Sequence, residues 1–127
     1  MSDEIKKIML VDDNITNLVN GKNILGKDYD VITIPSGEKL FRMLERTVPD
    51  LILLDIEMPG MDGYEVIRRL KADPVTAEIP VIFLTARTNC DDERECRSLV
   101  GAADYITKPF LPQELLERVE NILQTGP

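Results

Sequence analysis

Histidine and tryptophan are both missing from the 127 residues, and cysteine occurs only twice. Without imidazole there is no histidine general base, no histidine phosphodonor and no histidine metal ligand. Cys90 and Cys96 lie in a polar, acidic stretch and form neither a C-x-x-C pair nor a metal quartet, so they are read as reduced thiols. Basic charge is also scarce: Lys+Arg 15 against Asp+Glu 23 leaves a formal net charge of −8. Direct nucleic-acid binding is therefore not expected, because neutralising phosphates requires clustered Lys and Arg. No window approaches the roughly 18 to 20 uninterrupted apolar residues of a membrane span, and Met1-Ser2-Asp3-Glu4 lacks the basic-then-apolar order of a signal peptide. A cytoplasmic location without a membrane partner is the expectation. Neither G-x-x-x-x-G-K-[ST] nor G-x-G-x-x-G occurs, which removes the usual phosphate cradles of nucleotide sites. Any chemistry must run on carboxylates, hydroxyls and lysine.

What the chain does have is apolar residues in short, regular runs. At 43% hydrophobic content, a chain of this length has enough apolar side chains to form one core without disulfides. A single domain over 1–127, with its core at about 6–124, is expected. Ile8–Val11, Val31–Ile34, Leu51–Leu54, Val81–Leu84 and Tyr105-Ile106 have strand length. The first, third and fourth are apolar at every position, as strands covered on both faces are, whereas the second and fifth carry polar residues and suit the edges. Helical spacing separates them, clearest in Leu115, Leu116, Val119, Ile122 and Leu123. Further helices are expected from Ile15 to Leu25, where Lys22 interrupts the apolar stripe, around Leu40-Phe41-Leu44, around Val66-Ile67-Leu70, and over the charged segment Asp91–Val100. Asn14, Ser36 and Asp62 are the expected N-caps, and Gly26 and Gly101 the expected left-handed stops. Right-handed crossovers then predict an α/β fold: a doubly wound, five-stranded parallel sheet in flavodoxin-like order 2-1-3-4-5, with five helices.

Ligands of such sheets collect at the carboxyl ends of the strands. Asp12 and Asp13 follow the first run, Asp55 ends the third and Thr85 the fourth, and the fifth leads through Thr107 to Lys108. Neighbouring strands about 4.8 Å apart would bring Asp12, Asp13 and Asp55 within reach of one ion. Three carboxylates and one ammonium sum to −2, and an all-oxygen donor set suits a hard divalent ion, Mg²⁺ with Mn²⁺ as the alternative. Capping of adjacent helices would explain any one of these aspartates, but not three of them beside a lysine on separate strand ends. A flavin-phosphate site is disfavoured, since Asp12-Asp13 would repel the phosphate.

Val11-Asp12-Asp13-Asn14, Leu53-Leu54-Asp55-Ile56-Glu57-Met58-Pro59-Gly60-Met61-Asp62-Gly63, Leu84-Thr85-Ala86 and Tyr105-Ile106-Thr107-Lys108-Pro109-Phe110 resemble, in order, the receiver domain of two-component response regulators. The resemblance runs from about Ile8 to Leu123. It implies that Asp55 accepts a phosphoryl group from a phosphohistidine on a histidine kinase or histidine phosphotransfer protein. Asp13, Asp55 and the backbone carbonyl of Glu57 would hold Mg²⁺, with Asp12 acting through a bound water. It further assigns Thr85 and Lys108 to the phosphoryl oxygens, Tyr105 to an aromatic switch coupled to Thr85, and a cis peptide to Lys108-Pro109. Output would pass to a domain or target protein through the face made by the Asp91–Val100 helix, the fifth strand and the last helix, with a phosphorylation-linked homodimer left open. Such a module catalyses its own phosphorylation and dephosphorylation rather than turning over a separate metabolite.

Chemistry supports these roles independently, because phosphoryl transfer depends mainly on positioning and charge neutralisation, and an ionised carboxylate needs no base to act as nucleophile. Glu57 and Arg87 are expected to frame the path of a hydrolytic water, while Met58, Met61 and Phe110 are read as packing residues. Two alternatives compete with this reading. A Mg²⁺-dependent phosphohydrolase working through an aspartyl phosphate would want D-x-D-x-T, where the chain has Asp55-Ile56-Glu57-Met58-Pro59. A constitutive interaction module would not need all five rim positions intact.

Overall fold

The computed structural model describes residues 5–56, 58–85, 103–107 and 110–124, with the backbone alone at Thr85 and Thr107. In chain order the elements are β1 (Lys7–Val11), α1 (Ile15–Leu25), β2 (Asp30–Ile34), α2 (Gly37–Leu44), β3 (Leu51–Asp55), α3 (Gly63–Ala72), β4 (Val81–Thr85), β5 (Asp104–Thr107) and α4 (Pro112–Gln124). All four strand pairs are parallel, and the sheet order is β2-β1-β3-β4-β5, as the run pattern predicts. The described residues hold four helices. The helix expected over Asp91–Val100 lies outside them, as do Cys90, Cys96 and the expected stop at Gly101.

Period-two alternation divides the strands between two cores. Met9, Val11, Ile52, Leu54, Val81 and Phe83 pack on one face with Leu40, Leu44, Val66, Ile67 and Leu70 of α2 and α3. Ile8, Leu10, Leu51, Leu53, Ile82 and Leu84 pack on the other with Leu18 and Leu25 of α1 and Leu115 and Val119 of α4. Each fully buried Leu or Ile contributes about 1.5 to 3 kcal/mol relative to exposure, so the three central strands carry most of the apolar driving force. Met58 is buried in the first core and Met61 packs against it, while Phe110 packs against the second.

Each of the first three helices starts on its expected cap. Asn14 accepts from the Asn17 N–H at 3.2 Å, Ser36 from that of Lys39 at 3.2 Å and Asp62 from that of Glu65 at 2.9 Å. Such a cap is worth about 1 kcal/mol. Pro112 opens α4, where its fixed φ suits a first helical position and its missing N–H costs nothing.

Two details of α1 differ from the sequence expectation. Its buried stripe is Leu18, Gly21 and Leu25, so Lys22 interrupts nothing; the stripe turns on a glycine. A Cβ on Gly21 would meet Leu10 Cδ2 at 2.4 Å, so the missing side chain lets the helix settle against β1. Gly26 is not a left-handed stop. It is right-handed (φ −67°, ψ −12°), its N–H bonds the Lys22 carbonyl, and a Cβ there would lie 2.5 Å from that same oxygen. Among the described residues the left-handed glycine is Gly60 (φ +81°), in the turn after β3.

Candidate functional site

Parallel register decides what meets at the carboxyl edge. Val11 of β1 stands opposite Leu54 of β3, so the residues that follow, Asp12 and Asp55, come level as the two central strands end. Asp12 continues the alternation of Ile8 and Leu10, and Asp55 that of Leu51 and Leu53, which assigns both to the α1 and α4 side of the sheet. One carboxylate oxygen from each of Asp12, Asp13 and Asp55 lies within 4.8 Å of the others. The three are not equivalent, for Asp12 is 0% exposed and Asp55 2%, while Asp13 is exposed.

Burying two carboxylates side by side is costly unless donors or a cation compensate. Part of that compensation for Asp12 comes from α1. Its Oδ1 accepts the Asn14 N–H at 2.9 Å and its Oδ2 accepts Asn17 Nδ2 at 3.1 Å. The simpler alternative, that the aspartates merely cap helices, fits poorly, since the cap of α1 is Asn14 and Asp12 and Asp55 are buried. Among the described residues, all buried side-chain polar atoms have partners.

The main chain around Asp55 is fixed from the other side. Beyond β3 the backbone turns at Pro59-Gly60 and re-enters at Gly63, the first residue of α3, whose N–H donates to the Ile56 carbonyl at 2.8 Å. A Cβ on Gly63 would lie 2.7 Å from both the Asp55 carbonyl oxygen and Ile56 Cα. Only glycine allows this approach, and it comes directly behind the buried aspartate.

Tyr105 stands opposite Phe83 on β4 and packs, half-buried, against the α2 and α3 core. Behind it, Arg118 of α4 donates to Asp104 Oδ1 at 2.6 Å and to the Tyr105 carbonyl at 3.4 Å, and the same Asp104 oxygen accepts the Tyr105 N–H at 2.8 Å. The bond to Asp104 is the chief cause holding the Arg118 guanidinium above its ordinary pKa, with desolvation working against it. On α3, hydrogen bonding by Arg69, then the charge of Arg68, holds Glu65 below the ordinary carboxylate value.

The structure thus gathers Asp12, Asp13 and Asp55, and sets Tyr105 on β5. Thr85 ends β4, paired with Thr107, but only its backbone is described. Glu57, Arg87, Lys108 and Pro109 lie outside the described residues. Sequence reasoning missed Asn17 and Gly63. A D-D-x-x-x-N spacing at the start of a helix could have suggested the first, since an N3 side chain can reach back past its cap, and a glycine right after an N-cap aspartate the second.

Residues 8–120 match the response regulator receiver domain family. Across 118 residues, 91% of the chain, it is 40% identical to the response regulator PleD of Caulobacter vibrioides, covering 26% of that protein. Over 100 residues, 78% of the chain, it is 43% identical to the phosphate regulon transcriptional regulatory protein PhoB of Pseudomonas aeruginosa, covering 43% of it. The chain therefore spans about a quarter to under half of these relatives' own length. Among solved structures it superposes, at TM-score 0.84 and 31% identity, on the receiver domain of a sensor histidine kinase from Pseudomonas aeruginosa PAO1 with a magnesium ion coordinated in the active-site cleft. That superposition covers 96% of this chain and 100% of the other. The protein belongs to the response regulator receiver domains of two-component systems. Its acidic pocket is of the kind that can bind a metal ion, and no helix among the described residues is long and apolar enough to cross a membrane.

Proposed function

We propose that Asp55 is the phosphoacceptor of this receiver domain, taking a phosphoryl group from a phosphohistidine on a histidine kinase or phosphotransfer protein. The observation that carries the reading is the meeting of three carboxylates within 4.8 Å at the carboxyl edge, with Asp55 only 2% exposed. One Asp55 carboxylate oxygen attacks phosphorus, the P–N bond breaks, and its electron pair leaves on the imidazole nitrogen. A carboxylate in its ionised form needs no base to act as the nucleophile. Residue placement does the rest: Asp12, held by α1, and Asp13, at the solvent edge, concentrate negative charge that a cation would help to balance.

The donor set fits Mg²⁺ or Mn²⁺, being all oxygen, carboxylate-rich and partly open to water. Asp13, Asp55 and the Glu57 carbonyl would hold the ion, Asp12 acting through water, and the ion would supply charge neutralisation for the phosphoryl oxygens. By the family resemblance, Thr85 and Lys108 would contact those oxygens, and Tyr105 would report the phosphorylated state through β5. Residues 1–127 act as one cytoplasmic receiver module. Its output partner, domain or separate protein, engages the face that includes β5 and α4.

Intact-mass measurement after incubation with acetyl phosphate and Mg²⁺ tests the assignment. One added phosphoryl group is expected in the parent chain, and none in Asp55→Asn or without a divalent ion. Labelling of Asp55→Asn at the parental level would overturn it.

A further inference from the structure

Asn17 is not a candidate ligand, yet it touches one. It is the third residue of α1, where its N–H is occupied by the Asn14 cap and its side-chain amide is free to turn back toward the sheet edge. Nδ2 then reaches Asp12 Oδ2 at 3.1 Å while the Asn14 N–H holds Oδ1 at 2.9 Å. Both oxygens of a fully buried carboxylate are thus held by donors from one helix end, which fixes the carboxylate plane.

The residue type matters as much as the contact. A lysine or arginine at position 17 would pair with Asp12 and compete with a cation. An aspartate would add a fourth carboxylate to the three already gathered there. A leucine would leave Asp12 Oδ2 without the bond Asn17 now supplies. An amide donates a hydrogen bond and adds no charge, so the pocket keeps its full appetite for a divalent ion. Asn17 is also half-buried, lining a groove of about 260 Å³ together with Asn20, Asn23, Ile24, Phe110 and Pro112.

We infer that Asn17 is a positioning residue for the divalent-cation site, orienting the Asp12 carboxylate so that it, or a water it holds, presents a geometry strict enough for Mg²⁺. The inference rests on the cation reading above. Partners of this kind behind metal ligands typically carry a 10- to 100-fold effect on affinity. Mg²⁺ demands near-ideal octahedral geometry, whereas Ca²⁺ accepts flexible coordination, so loss of orientation should weaken Mg²⁺ more than Ca²⁺.

Isothermal titration of the whole chain with MgCl₂ and separately with CaCl₂, at fixed ionic strength, tests this in the parent, Asn17→Ala and Asn17→Leu, the last keeping volume but not the donor. Both variants should bind Mg²⁺ about tenfold more weakly and Ca²⁺ less than about threefold more weakly. In the parent, the Asn17 side-chain NH₂ resonances should shift on Mg²⁺ addition with the same midpoint as the heat, a readout that needs no variant to fold. Mg²⁺ affinity within twofold of the parent, equal losses for both ions, or NH₂ resonances indifferent to Mg²⁺ would each overturn the role. A parent chain that binds no Mg²⁺ at all would overturn the cation reading, and this inference with it.

Discussion

Replacing Gly63 with alanine puts a methyl group where β3 already stands. The new Cβ would lie 2.7 Å from the Asp55 carbonyl oxygen and from Ile56 Cα, where ordinary contact begins near 3.4 Å, so one backbone must retreat by about 0.7 Å. Neither neighbour is a side chain that can rotate aside. Overpacking of this kind costs about 1 to 3 kcal/mol, and the reduced freedom of alanine in the unfolded chain returns about 0.4 to 1 kcal/mol. The expected net loss is about 1 to 2 kcal/mol, or roughly 4 to 8 °C in Tm for a domain of this size. Chemistry should suffer as well, because a displacement approaching 1 Å at a reacting group can cost up to about 100-fold in rate. Urea unfolding and acetyl phosphate labelling followed by intact mass would read the two effects. Gly60→Ala is the control: its φ of +81° costs about 1 to 2 kcal/mol in backbone strain, but no atom lies within 4 Å, so its labelling rate should match the parent's. A Gly63→Ala chain that is as stable as the parent and labels as fast would refute the claim that this contact holds Asp55 in place.

Arg118→Ala should cost about 1 kcal/mol, since the pair it forms with Asp104 is part-exposed, and should speed hydrogen exchange at the Tyr105 amide; unchanged exchange would mean the clamp does not hold β5. Tyr29 has its pKa raised above the ordinary 10.0, first by burial and then by the charges of Glu120 and Asp28. Because the folded state holds that proton more tightly, the associated stability is present below pH 10 and is lost as pH rises through the folded value. Tyr29→Phe should therefore flatten the alkaline decline in Tm, and an identical decline in parent and variant would reject this.

The strands were legible because three of them are buried on both faces, and a run such as Leu51-Ile52-Leu53-Leu54, at strand length, suits a strand covered on both sides. From their order and the edge positions of Val31–Ile34 and Tyr105-Ile106, the topology and the meeting of Asp12, Asp13 and Asp55 followed. Less legible was whatever depends on a missing side chain. The buried stripe of α1 runs through Gly21, which no hydrophobicity pattern marks, so a pattern of bulky residues puts Lys22 in the stripe instead. Gly26 departs from expectation for a related reason. Glycine after a helix suggests positive φ, but here it relieves a clash with the Lys22 carbonyl in a right-handed turn. Asn17 was hidden because a single amide on an exposed helix end carries no periodicity, and its role appears only when the β1 edge is set beside it.

The β1–β3 pairing has a kinetic side. Ile8 meets Leu51 across 43 positions of chain, while the β1–β2 pair closes 23, from Lys7 to Asp30. Chain entropy makes the longer closure only about 0.5 kcal/mol harder, but it must be met before the contacts it permits give any return. It is also the closure that brings Asp55 to Asp12 and Asp13. A chain that has paired β1 with β2 but not yet with β3 holds only part of the acidic pocket, so an ion that needs all three aspartates recognises this junction and little else. Added Mg²⁺ should then slow unfolding while leaving the rate of folding nearly unchanged if the junction closes after the rate-limiting step, and should speed folding if it closes before. The same three carboxylates would then serve as a clock for when the two halves of the sheet join.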